Sequence, residues 1–110
     1  MEFDHVGYRS YEKRDGEFYY APNKVWITDS SKHPFSIEWL RYDEDSPVPE
    51  EVKNLPHVGF IVESIRDAAR GLELLLGPMI IDQHTTVAFY RTTDGGVVEF
   101  KETGGHPPAD

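Results

Sequence analysis

The sequence predicts an α+β domain built from two related, strand-rich halves, and three observations carry that reading. Phe3-Asp4-His5-Val6-Gly7-Tyr8 is echoed by Leu55-Pro56-His57-Val58-Gly59-Phe60, both alternating apolar and polar residues as half-buried strands do. The segments downstream of each copy also repeat: residues 24–28 (KVWIT) resemble residues 86–90 (TVAFY), and residues 36–39 (SIEW) resemble residues 97–100 (VVEF). Helical apolar spacing occurs in the second half alone.

In the first half, a strand over Phe3 to Arg9 is followed by residues 10–16 (SYEKRDG), which are polar and carry no apolar stripe. A helix is therefore missing or shortened there. The spacings agree: His5 to Glu38 is 33 positions and His57 to Glu99 is 42. With Val25 taken as the equivalent of Val87, the deficit lies between the first and third strands of the half. Residues 43–56, acidic and carrying Pro47, Pro49 and Pro56, read as a linker with one helical turn after Pro49.

In the second half, Ser64 is a helix cap, Asp67 suits the first turn, and Ile65, Ala68, Ala69 and Leu72 fall at helical spacing. Gly71 suits a left-handed helix end. The apolar pattern over residues 72–76 admits helix or strand, and a short helix followed by a strand is the preferred reading. Asp94-Gly95-Gly96 signals a hairpin turn. The expected organisation is one domain over residues 1–110: module one about 1–42, linker 43–56, module two about 57–102, and a disordered tail 103–110.

Composition narrows the chemistry. Eleven basic against twenty acidic residues give a net charge of −9, which repels phosphate backbones and anionic lipid alike. Nucleic acid and membrane surfaces are not expected partners. The chain holds no apolar run long enough to span a bilayer and no basic-then-apolar leader, so a cytoplasmic location is expected. With no cysteine, thiolate zinc sites, iron–sulfur ligation and thiol nucleophiles are excluded, and any metal must be held by His nitrogen and carboxylate oxygen.

Strand alternation places Phe3, His5, Gly7 and Arg9 on one face, and Ser36, Glu38, Leu40 and Tyr42 on one face of the strand ending the first half. The second half offers His57, Gly59 and Ile61, then Val97, Glu99 and Lys101. If two similar curved sheets face one another, two His and two Glu converge. That N/O set suits one divalent ion, Zn, Ni, Co, Mn or Fe, and a glycine two positions after each His leaves space beside it. The alternative is that both glutamates point to solvent at strand ends. Arg9 and Lys101 share the ligands' parity and are candidates for binding an anionic substrate. His33, His84 and His106 read as solvated.

These residues resemble the vicinal oxygen chelate superfamily, which includes glyoxalase I, methylmalonyl-CoA epimerase, extradiol dioxygenases and the bleomycin resistance proteins. The resemblance covers roughly residues 1–102. It implies paired βαβββ modules forming a cupped mixed sheet, with metal ligands on the first and last strands of each module. His5, Glu38, His57 and Glu99 occupy those four positions. The departure is the first module's helix.

The resemblance implies a metal-dependent isomerase, epimerase or lyase acting on a small α-hydroxy or α-keto carbonyl compound through a metal-stabilised enediolate, with Glu99 and, by pseudo-symmetry, Glu38 as proton shuttles. Two other readings stay open: a non-catalytic small-molecule binding protein of the bleomycin resistance type, and an iron-dependent extradiol-type dioxygenase, ranked lower because four protein ligands leave little room. The absent helix leaves Val6, Tyr8, Ile37 and Trp39 without a cover. A homodimer with Tyr8, Ile37 and Trp39 at or near the interface is expected.

Overall fold

The computed structural model describes residues 1–104. The predicted tail lies, from residue 105 on and with His106, outside the described residues. Eight strands form one sheet: β1 (Glu2–Arg9), β2 (Phe18–Tyr20), β3 (Val25–Ile27), β4 (Ile37–Tyr42), β5 (His57–Val62), β6 (Glu73–Asp82), β7 (Thr85–Arg91) and β8 (Val97–Glu102). Two short α-helices accompany them among the described residues, α1 (Glu50–Asn54) and α2 (Ile65–Ala68).

The strand order is β2-β3-β4-β1-β5-β8-β7-β6. From the centre outward, each half repeats one arrangement: first strand, last, third, second. Within each half the first and last strands run parallel, β1 with β4 and β5 with β8. The halves join through the antiparallel pair β1 and β5, so a single chain makes one continuous mixed sheet that curls into a cup.

Local sequence explains the second half. The Ser64 side chain accepts a hydrogen bond from the Asp67 N–H, satisfying a donor that the short helix α2 leaves open. Gly71 then takes φ +85°, the left-handed conformation that lets the chain leave the helix and enter β6. Residues 73–76 are therefore strand. Gly95 turns β7 back into β8 with φ +93°.

On the outer face, α2 covers Val62, Ala88, Tyr90, Val98 and Phe100, with Phe60 packed against them. Val58, on the same strand face, stays partly exposed beyond the helix. Between β1 and β2 the chain forms turns with no helix. There Arg14 donates to the Ser10 hydroxyl and lays its guanidinium 4.0 Å above the Trp39 ring. Trp39 is thus half-covered by its own chain, whereas Tyr8, 5.7 Å from it ring to ring, is exposed.

The segment joining the halves does more than span a distance. Val48 and Val52 pack inside the cup against Phe89 and Val97. A two-pronged ion pair from Arg91 to Glu51 and a hydrogen bond from Ser46 to the Asn23 carbonyl pin it at both ends. One wall of the cup is therefore built from α1 and its approach.

Two registers differ from those expected. A bulge in β1 between Phe3 and His5 pairs Phe3 with Phe60 and His5 with Gly59. Phe3 therefore sits on the outer face, its ring edge-on to Phe60, and does not share the face of His5. Val25 pairs with Tyr42, four residues after Glu38, while Val87 pairs with Lys101, two after Glu99. The two valines are offset by one inward-facing position rather than equivalent.

Candidate metal centre

The four predicted ligands come from the four central strands, one each: His5 on β1, Glu38 on β4, His57 on β5 and Glu99 on β8. The antiparallel register sets His5 opposite Gly59 and His57 opposite Gly7. Each imidazole lies across the glycine of the facing strand, and a Cβ at Gly7 or Gly59 would come within 2.1 or 2.2 Å of a ring carbon. The glycine two positions after each His thus accommodates the other module's ring. Phe89 meets the His57 ring edge-on at 5.1 Å and limits its rotation.

The Nε2 atoms of His5 and His57 are 3.1 Å apart. Oε1 of Glu99 lies 3.0 Å from the first and 3.2 Å from the second, and Oε1 of Glu38 lies 3.5 and 3.6 Å away. With metal–ligand bonds of about 2.1 Å, neighbouring ligands sit about 3.4 Å apart in a tetrahedron and about 3.0 Å apart in an octahedron. The observed separations bracket both values, and the donor set, two neutral nitrogens and two anionic oxygens, balances a divalent charge. The residues present fit a divalent metal ion.

Both imidazoles are 2% exposed. Burial by itself would discourage their charged forms, yet hydrogen bonds and charge from Glu99 and Glu38 outweigh it, raising His5 above its ordinary value and His57 to about 9. Burial likewise opposes ionisation of Glu99, and the two imidazoles reverse that, holding it at about 2. The protonated forms of both imidazoles are thus favoured beside the two carboxylates.

Above the cluster opens a cavity of about 300 Å³ with Glu38 and Glu99 on its floor. Its walls are mostly apolar, Val25, Leu40, Leu76, Met79 and Phe89 among them. Tyr42 stands in the wall, its phenol pushed upward by burial and by the charges of Glu38 and Glu99.

Of the two predicted substrate-binding cations, Lys101 lines the cavity. Arg9 does not. Its guanidinium stacks on the rings of Tyr11 and Tyr42 and donates to Asn54. His33 accepts a hydrogen bond from the Phe35 N–H, and His84 is exposed, both away from the centre. Sequence reasoning missed Asp4, whose Oδ2 lies 2.8 Å from Nδ1 of His5 and 3.1 Å from Nζ of Lys101. Unbroken strand alternation points residue 4 away from the site, so no pattern signalled it.

No protein-family model and no curated protein matches the sequence. Solved structures do resemble the fold. The hypothetical protein BH1468 from Bacillus halodurans C-125 is 19% identical over 97% of each chain, with a TM-score of 0.69. An uncharacterized protein from Methanosarcina mazei is 16% identical over the full length of both, at 0.61. Methylmalonyl-CoA epimerase from Mycobacterium tuberculosis is 14% identical over 94% of this chain and 88% of that one, also at 0.61. With two such modules joined edge to edge in one cupped sheet, the chain has the vicinal oxygen chelate fold.

Proposed function

We propose that this protein is a metal-dependent isomerase, epimerase or lyase of the glyoxalase type, acting on a small α-hydroxy or α-keto carbonyl compound. The observation that carries the reading is the convergence of His5, Glu38, His57 and Glu99 on one point at the floor of an apolar cavity. A divalent ion held there supplies Lewis-acid stabilisation for negative charge developing on a substrate oxygen. The apolar walls exclude water and strengthen that interaction.

Glu99 and Glu38 reach the cavity floor from opposite modules. In this reading either carboxylate takes a proton from a carbon beside the carbonyl and returns it on the same or the other face. Glu99 is assigned the base role first, with Glu38 its pseudo-symmetric counterpart. Lys101, at the cavity lining, is assigned to a substrate anion. A homodimer through the outer face of module one, around the exposed Tyr8, belongs to the same reading.

The test is proton exchange. Metal-loaded protein is incubated in deuterium oxide with a panel of α-hydroxy and α-keto acids, aldehydes and thioesters, and loss of the α-proton signal is followed by NMR. Exchange of at least one substrate that stops when the metal is chelated is the expected result. Tight binding with no exchange across the panel favours the second reading, a non-catalytic small-molecule carrier, which the largely apolar cavity also suits.

A further inference from the structure

The two halves of the centre are not equivalent, and the difference lies in the β1 bulge. His57 meets carboxylates through Nε2, the atom that faces the common point. His5 does the same and also presents Nδ1 to a third carboxylate, Asp4, at 2.8 Å. Among the described residues Asp4 is the one carboxylate beside an Nδ1 atom of the cluster. Its position depends on the bulge, which breaks the alternation between Phe3 and His5 and brings neighbouring side chains to the same region.

We propose that Asp4 is the positioning residue of the centre, fixing His5 as an Nε2 ligand by accepting a hydrogen bond from its Nδ1–H. This rests on the metal reading above. The chemistry is specific. Oδ2 of Asp4 lies 2.8 Å from Nδ1 of His5 and 3.1 Å from the Lys101 ammonium, the setting of a carboxylate rather than of a carboxylic acid. An ionised carboxylate accepts hydrogen bonds only, so the proton must sit on Nδ1. The lone pair of neutral His5 is then on Nε2, aimed at the point shared with His57, Glu38 and Glu99. The negative charge of Asp4 also raises the basicity of the ring, strengthening it as a ligand.

Lys101 donates to the same oxygen, Oδ2, at 3.1 Å, so that one carboxylate oxygen of Asp4 is held by two partners. The arrangement therefore runs from the cavity lining, through Asp4, to one ligand of the centre. Module two has no counterpart: position 56, before His57, is proline and can neither accept nor donate there through its side chain.

The test compares wild type, Asp4→Ala and Asp4→Asn for Zn²⁺ affinity by competition with a chromogenic chelator. Cobalt-substituted protein is used in parallel to record the exchangeable Nδ1–H resonances of the two ligand histidines. Asp4→Ala is expected to lose about 10- to 100-fold in affinity, the usual effect of removing a partner behind a ligand histidine. Asp4→Asn keeps an acceptor oxygen and should recover part of that loss. In Asp4→Ala the His5 Nδ1–H signal should exchange faster with solvent while that of His57 does not change. Far-UV circular dichroism of each variant checks the fold. Affinity of folded Asp4→Ala within twofold of wild type, or an unchanged His5 signal, overturns the role of Asp4 while leaving the metal centre standing. A wild type that takes up no ion overturns both.

Discussion

The imidazole of His57 occupies the space that a side chain at Gly7 would need. A Cβ there would approach its Cε1 to 2.1 Å, far inside van der Waals contact. Because Gly7 and His57 face each other across the β1–β5 seam, and Gly59 and His5 do the same, the seam between the modules is also the device that packs the two rings together.

Gly7→Ala should therefore displace His57 without disturbing the strands around it. Zinc affinity should fall by more than tenfold, since an error in ligand placement costs at least as much as the loss of a supporting hydrogen bond. Chelator competition reads the affinity, and circular dichroism checks that the sheet persists. Wild-type affinity in Gly7→Ala would mean that the ring has room the structure does not show.

Glu99→Gln keeps the shape of the side chain while removing its charge and its capacity as a base. On any substrate that shows metal-dependent α-proton exchange, turnover should fall by roughly two orders of magnitude or more. Single-turnover kinetics at saturating metal distinguish this from loss of the ion. Unchanged turnover would transfer the proton step to Glu38.

The pH dependence of the metal-free protein has a definite sign. His57 is raised from 6.5 to about 9 and His5 is raised as well, so their contribution to stability is complete below about pH 6.5 and disappears as pH climbs towards 9. Glu99, lowered from 4.5 to about 2, contributes above about pH 4.5 and loses its contribution as pH falls towards 2. Metal-free protein should be most heat-stable between about pH 4.5 and 6.5. Binding an ion displaces the histidine protons, so metal affinity should move the other way and rise with pH up to about 9. Melting curves of metal-free and metal-loaded protein at pH 6 and pH 9 are the check, and a metal-free midpoint that rises between them would contradict the assignment.

The outer face of module one carries the assembly prediction. Tyr8 is 41% exposed and packs beside Trp39, whose ring carries the Arg14 guanidinium. Sedimentation at micromolar concentration should show a dimer that Trp39→Glu weakens by about tenfold or more, a charged side chain being costly to bury at an interface. A wild-type monomer, or an equally tight dimer in the variant, removes this proposal.

Much of the centre was legible because its logic is local. A His and a Glu at strand positions that recur in each half share a face by alternation alone, and β-pairing then brings them together. What alternation could not supply is set by pairing partners distant in sequence. The bulge that turns Phe3 outward and brings Asp4 beside His5 exists in the register of β1 against β5, and the letters of β1 read equally well without it. The placement of α1 is similar: Val48 and Val52 look like scattered apolar residues in a proline-broken linker until Phe89 and Val97 give them a surface to cover. Arg9, which alternation marks only as sharing the ligands' face, has its guanidinium engaged by Tyr11, Tyr42 and Asn54 and is not among the residues lining the cavity.

One divalent ion should bind where the four side chains from the four central strands meet. A crystal structure of protein purified with zinc in excess, with data collected at the zinc absorption edge, would locate that ion. The expected result is a single anomalous peak per chain about 2.0–2.2 Å from Nε2 of His5 and His57 and from a carboxylate oxygen of Glu38 and Glu99. A peak elsewhere, or these four side chains diverging with no ion between them, would contradict it.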